Sequence, residues 1–178
     1  MDEVDYGATA KEEVYREDKI VVVPLPRRRC TPTAKTPLLI VYALVNRPYM
    51  VDLQDDRSLV SATCSTLGED VYLIDWGYPD RVRSLPDARR LHQRLHRAAA
   101  STCVAKTHGV DKINLLGICQ GGAFSLCFAA IYPHKVQNLI TMVTPVDFHT
   151  ADNMLSHWTR EARHRPVRRH ARQRAGET

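Results

Sequence analysis

The stretch "NLLGICQGGAFSLCFAAIYP", residues 114–133, places a cysteine between glycines where an apolar run changes into a helix-compatible segment. Its hexapeptide GICQGG has the Gly-x-nucleophile-x-Gly spacing of a nucleophile elbow, a sharp turn from strand to helix, with Cys119 where serine is more usual. Side chains at the flanking positions would collide with the neighbouring strand and helix, which explains the glycines at Gly117, Gly121 and Gly122. The pattern therefore predicts a nucleophile at Cys119.

The expected surroundings of Cys119 fit this role. A helix N-terminus directly after the residue favours a thiolate, and the backbone N–H of Gln120 is predicted to form one half of an oxyanion hole. The alternative is a tight turn with a buried cysteine that acts as a small hydrophobic residue. Cys127, eight residues later in the predicted helix, has nothing to activate it and is predicted to lie in the core.

A thiol nucleophile also favours one type of reaction. A serine would convert a thioester into a less activated oxygen ester, whereas a cysteine exchanges one thioester for another at nearly equal energy. The acyl group then stays reactive toward a second acceptor. Acyl transfer from a coenzyme A thioester is therefore favoured over simple hydrolysis.

Apolar runs on both sides of the elbow predict an α/β fold with an open, mostly parallel sheet and helices on both faces. An edge strand containing prolines is predicted first, and further strands are predicted to be buried on both faces. The predicted strands are 19–26, 37–45, 70–77, 113–119 and 138–145, and the predicted helices are 55–69 and 123–133, with a long connection over 78–112.

Composition and charge narrow the classes of function. The chain has 178 residues and five cysteines without metal-binding spacing, so free thiols in a reducing cytosol, one main domain and no metal are predicted. The acidic start is not a signal peptide, and no apolar run is long enough to span a membrane. Two arginine-rich stretches, 81–97 and 159–178, carry no interleaved aromatic residues, so nucleic-acid binding is not predicted.

Four blocks of sequence resemble the catalytic subunit of class III polyhydroxyalkanoate synthases. They read "PLLIVYALVNRPYMVDLQDDRSLV" (37–60), "DVYLIDWGYPD" (70–80), "GVDKINLLGICQGGAFSL" (109–126) and "LITMVTPVDFHTADNMLSHW" (139–158). The resemblance implies an α/β-hydrolase core in which Cys119 polymerises (R)-3-hydroxyacyl-CoA into polyester and releases CoA, with no other cofactor. It also implies that the loop "LVNRPYM" supplies the second oxyanion donor, from the backbone N–H of Val45 or Asn46.

The resemblance further implies a partner and a location. The expected partners are a second synthase subunit of the PhaE type and the surface of a polyester granule, and the expected location is cytoplasmic and granule-associated. The predicted domain organisation is a polar N-terminal segment (1–18), a partial α/β-hydrolase core (19–150) and the start of a cap region that runs into the arginine-rich tail (151–178).

The arginine-rich stretches depart from the family and suggest a frameshift. One codon choice for "RLHQRLHR" (90–97) reads Asp-Tyr-Ile-Asn-Gly-Tyr-Ile when it is translated one base later, which resembles a helix of the family. Residues 163–178 can likewise be read in a neighbouring frame as family-like cap sequence. On this hypothesis both stretches are frameshifted translation, and their arginines bind nothing.

A base for Cys119 is the part of the site that the sequence does not provide. The family's triad Asp and His are expected far downstream, beyond the end of this chain, which is therefore expected to be inactive alone. Asp147 and His149 follow a predicted strand and are weak local substitutes. Weaker candidates still are His134, His157, His164 and His170. Two alternatives remain open: a small cysteine hydrolase resembling dienelactone hydrolase, and a non-enzymatic fragment that binds a partner.

Overall fold

The computed structural model describes residues 13, 15–17, 20–24, 34–54, 56–68, 70–77, 93, 95, 104–147, 154 and 157–158. The chain divides into two compact units, residues 1–145 and residues 146–178. In the second unit the described residues 154, 157 and 158 are helical and exposed. No helix among the described residues is long and apolar enough to cross a membrane.

In the described residues, the first unit contains a six-stranded sheet. Its strands are β1 Tyr15–Glu17, β2 Ile20–Pro24, β3 Leu38–Val41, β6 Val71–Asp75, β7 Ile113–Ile118 and β8 Val136–Met142. Their order in the sheet is β1-β2-β6-β3-β7-β8. Strands β3, β6, β7 and β8 run parallel to one another, whereas β1 and β2 are antiparallel to their neighbours. The predicted mostly parallel sheet is confirmed.

Helices and a small hairpin accompany the sheet in the described part of the chain. The hairpin consists of β4 Asp52–Gln54 and β5 Arg57–Ser58, and the helices are α1 Leu59–Leu67, α2 Val104–His108 and α3 Gln120–Ile131. Short 3-10 turns lie at Pro48–Val51 and Pro133–Lys135. Helix α3 ends before Pro133, as the sequence predicts.

Alternating side chains of the central strands form two apolar clusters, as a period of two residues requires. One cluster contains Leu39, Val41, Tyr72, Ile74 and Leu115, together with Phe128 of α3. The other contains Leu38, Ile40, Leu73 and Ile118, together with Val60 of α1. Burial on both faces is therefore confirmed for β3, β6 and β7.

Strand β8 does not follow the predicted double-sided burial. The prediction rested on its apolar run, but most of its residues are exposed, among them Ile140 and Met142. The reason is its position, because among the described residues β8 pairs with β7 alone and forms one edge of the sheet.

Three further predictions are corrected. Strand β2 is not at the edge, because the polar segment before it contains β1, which pairs with β2 on its outer side. Helix α1 begins at Leu59 and not at residue 55, because Ser58 accepts a hydrogen bond from the Ser61 N–H and also donates to the buried Asp52 carboxylate. Cys127 is exposed rather than in the core. It lies off the face of α3 that packs on the sheet, which consists of Gly121, Gly122, Ser125 and Phe128.

The arginine-rich connection also contributes to the core. Leu95 is helical and 1% exposed, and it packs in the same cluster as Phe128. The sequence showed no convincing apolar stripe there, because Val82, Leu85, Leu91 and Leu95 are too few among the charged residues of 81–97 to give a sustained periodic signal. Apart from residues 93 and 95, the stretch 81–97 lies outside the described residues, as does the arginine-rich tail 159–178.

Candidate active site

Cys119 is the single residue between β7 and α3, and its backbone is strained. Its φ of 54° and ψ of −124° lie in a region that residues with a side chain rarely adopt. Two backbone hydrogen bonds hold the turn: the Cys119 N–H donates to the Met142 carbonyl of β8 at 2.9 Å, and the Gly122 N–H donates to the Cys119 carbonyl at 2.9 Å. A strained, half-buried thiol at a strand-to-helix turn is the geometry of a nucleophile elbow.

The strain at Cys119 predicts a difference between two substitutions. Alanine would keep the unfavourable φ, whereas glycine adopts it freely and relieves about 1–3 kcal/mol. The greater flexibility of glycine in the unfolded chain costs about 0.5–1 kcal/mol of that gain. We therefore expect Cys119→Gly to be more stable than Cys119→Ala by about 1 kcal/mol in urea unfolding. Equal midpoints would show that the turn is not strained.

Each glycine of the elbow faces a different neighbour. A Cβ at Gly117 would lie 2.5 Å from the Gly122 Cα and 2.8 Å from the Ser125 hydroxyl, inside the first turns of α3. A Cβ at Gly121 would overlap the Val41 carbonyl at the end of β3, and a Cβ at Gly122 would overlap the Thr144 side chain after β8. The three glycines therefore let the helix pack against β7 and against the ends of both neighbouring strands.

The carboxyl ends of β3, β6, β7 and β8 lie at one edge of the sheet, because these strands are parallel. The loop after β3, residues 43–47, therefore lies beside the elbow. Its two predicted oxyanion residues are exposed; the Val45 side chain is 80% exposed. The Leu44 N–H donates to Gln120 Oε1 at 3.2 Å, which connects this loop directly to the elbow.

The far side of the same loop is held by the end of β6. Arg47 donates to the Gly77 carbonyl at 3.2 Å, and its guanidinium lies 3.5 Å from an oxygen of Asp75. The Trp76 indole N–H donates to the Tyr42 carbonyl at 2.9 Å, where β3 ends. Sequence reasoning missed these contacts, because they join groups about 30 residues apart in the chain and no motif marks them.

The two described histidines of the first unit, His108 and His134, lie at the opposite edge of the sheet. Among its described residues, His108 ends α2 and contacts the Tyr72 hydroxyl at 2.8 Å and an oxygen of Asp70 at 3.6 Å, where β6 begins. His134 is exposed and precedes β8. Both therefore lie at the amino ends of strands, whereas Cys119 lies at a carboxyl end.

The remaining candidates for acid and base belong to the second unit. Asp147 and His157 are exposed, and His149, His164 and His170 lie outside the described residues. Among the described residues no group of three His, Cys, Asp or Glu side chains is placed to hold a metal ion. The predicted roles of Cys119, Gln120, Val45 and Asn46 stay predictions, now with a geometry in which they can be tested.

The sequence pattern of the alpha/beta hydrolase fold family matches residues 36–177. The chain is 54% identical over 157 residues to the poly(3-hydroxyalkanoate) polymerase subunit PhaC of Allochromatium vinosum, covering 87% of this chain and 43% of that protein. It is 49% identical over 162 residues to the subunit of the same name from Synechocystis, covering 87% and 40%. The predicted resemblance is confirmed, and the chain spans about two fifths of the length of these relatives.

Solved structures agree with the fold. The alignment with a bacterial membrane phospholipase A covers 88% of this chain and 46% of the phospholipase, with a TM-score of 0.60 and 16% identity. The alignment with the carboxylesterase CesB of Bacillus subtilis covers 75% of this chain and 42% of the esterase, with a TM-score of 0.51 and 13% identity. At such identities the likeness concerns the fold alone.

Proposed function

The chain belongs to the alpha/beta hydrolase fold family, and we propose that it is the nucleophile-bearing part of a poly(3-hydroxyalkanoate) polymerase. The observation that carries this proposal is the thiol of Cys119 in a strained turn between β7 and α3. The similarity to the polymerase subunits PhaC supports the choice of reaction among the many that this fold performs.

The proposed reaction begins with attack of the Cys119 thiolate on the carbonyl carbon of a (R)-3-hydroxyacyl-CoA. A new C–S bond forms, negative charge develops on the carbonyl oxygen, and the backbone N–H groups of Gln120 and of Val45 or Asn46 stabilise it. The C–S bond to coenzyme A then breaks. CoA leaves as a thiolate and takes up the proton that Cys119 lost, and the acyl group remains as a thioester on Cys119.

Chain growth follows from the energy of that thioester. The 3-hydroxyl oxygen of one acyl unit attacks the thioester carbonyl of another, so a C–O bond forms, a C–S bond breaks and the proton of the hydroxyl passes to the released thiol. An oxygen ester is less activated than a thioester, so this step runs downhill. The polymerase is proposed to act with a second subunit of the PhaE type at a granule surface.

The base that activates Cys119 is proposed to come from a part of the polymerase outside this chain. In the first unit, both described histidines lie at the edge of the sheet opposite to Cys119. A positioned general base contributes about 10²–10⁴-fold to such a reaction.

We therefore expect the 178-residue chain alone to release no more CoA from 3-hydroxybutyryl-CoA than its Cys119→Ala variant does. A thiol assay of the two proteins with equal substrate measures this. Turnover above the alanine variant would mean that a histidine of this chain serves as the base.

A graft tests the proposed function itself. Residues 34–77 and 104–145 of this chain replace the matching segments of the Allochromatium vinosum PhaC subunit, which keeps its own sequence elsewhere. These segments carry the elbow and the loop after β3 but omit the arginine-rich stretch. With the PhaE-type subunit present, the graft is expected to release CoA from 3-hydroxybutyryl-CoA and to form polymer. A folded graft without turnover would contradict the proposed function.

A further inference from the structure

Gln120 has a side chain with a role of its own. Its Oε1 accepts a hydrogen bond from the Leu44 N–H at 3.2 Å, although the two residues are 76 positions apart in the chain. Both residues are half-buried. The backbone N–H of the same Gln120 is one of the proposed oxyanion donors. One residue therefore supplies a donor and also holds the segment that carries the candidates for the other.

The loop after β3 has a polar anchor at each end. Leu44 is held by Gln120, and Arg47 is held by the Gly77 carbonyl and by Asp75. Val45 and Asn46 lie between these anchors, and both side chains are exposed, so core packing does not hold them. The position of their N–H groups relative to the elbow depends on the two anchors.

We propose that the Gln120 side chain is a positioning residue, which fixes the loop after β3 so that its N–H group is preorganised beside the Gln120 N–H. The inference rests on the proposed function. The physical reason is that an oxyanion hole stabilises charge only when its donors are in place before the charge develops. Donors from two different loops need a link between the loops, and the side-chain amide of Gln120 provides it.

Amide hydrogen exchange of the 178-residue chain tests the link. Gln120→Met keeps the side-chain length but removes the acceptor, and Gln120→Glu keeps an acceptor. We expect the Leu44 N–H to exchange about 3- to 10-fold faster in Gln120→Met, the factor that corresponds to the loss of one hydrogen bond. In Gln120→Glu the exchange rate should return to that of the original chain. The matched control is Gln137→Met on the exposed edge strand β8, with an unchanged rate at Leu44.

The core amide of Phe128 separates a local effect from a global one, because it exchanges faster only when the whole unit is destabilised. If Gln120→Met does not fold, Gln120→Ser, whose side chain is too short to reach Leu44, takes its place. Leu44 exchange that stays unchanged in the folded variant would overturn the proposal.

The graft tests the catalytic consequence. Gln120→Met is expected to lower kcat by about tenfold or more with little change in KM, because the loosened donor acts in the transition state, and Gln137→Met is expected to have no effect. A faster Leu44 exchange with an unchanged kcat would overturn the positioning role. A graft that is inactive before any substitution would contradict the proposed function, and the exchange experiment would still decide whether Gln120 holds the loop.

Discussion

Replacing Cys119 with alanine in the graft is expected to lower CoA release from 3-hydroxybutyryl-CoA by about 10⁴-fold or more, since loss of a covalent nucleophile disables the whole catalytic unit. The elbow itself should survive the substitution, because the turn is held by the Cys119 N–H, the Met142 carbonyl and the Gly122 N–H, which are backbone groups. The loss of activity then reflects the rate of acyl transfer, and KM carries no information about it. Steady-state thiol release measures it directly.

The same change at Cys127 provides the control. Cys127 lies in helix α3, which begins directly after Cys119, and it is an exposed free thiol. Cys127→Ala is therefore expected to leave turnover unchanged. Mass spectrometry of the graft, quenched during turnover, is expected to find the acyl group on Cys119 alone. An acyl group on Cys127, or a Cys119→Ala graft with substantial turnover, would exclude Cys119 as the nucleophile.

Gly121→Ala is expected to destabilise the chain by about 3 kcal/mol or more, the upper end of overpacking costs. The added Cβ would overlap the carbonyl of Val41, and the atoms in its way belong to the backbone at the end of β3, so no side chain can rotate aside. Alanine is favoured over glycine in a helix by about 1 kcal/mol, and the collision outweighs that gain. For a chain of this size the melting temperature should fall by about 10 °C.

Gly109→Ala separates collision from backbone strain. Gly109 has a φ of +62°, and a Cβ there would meet no heavy atom within 4 Å. Its replacement should therefore cost only the left-handed conformation, about 1 kcal/mol. Urea unfolding of both variants measures the difference. A Gly121→Ala variant that is no less stable than Gly109→Ala would mean that helix α3 does not pack on β3 as described.

The strands and the elbow were predictable because their signals are local. Apolar runs of Val, Ile and Leu mark β3, β6 and β7, and the glycine spacing around Cys119 marks a turn that only small residues allow. The resemblance to polyhydroxyalkanoate synthases could be recognised from long matching blocks of sequence alone. By itself the sequence determined the fold class, the central strands and the position of the candidate nucleophile.

The tertiary structure decided everything that depends on which distant residues become neighbours. Burial of β8 was predicted from its composition and was wrong, because burial depends on what lies beside a strand, and β8 lies at an edge in the described part of the chain. Cys127 was predicted to be core, but helix geometry turns it away from the packed face of α3. The hydrogen bond from Leu44 to Gln120 joins residues 76 positions apart. A local pattern cannot encode such a contact, because the order of the parallel strands brings the two loops to the same edge of the sheet.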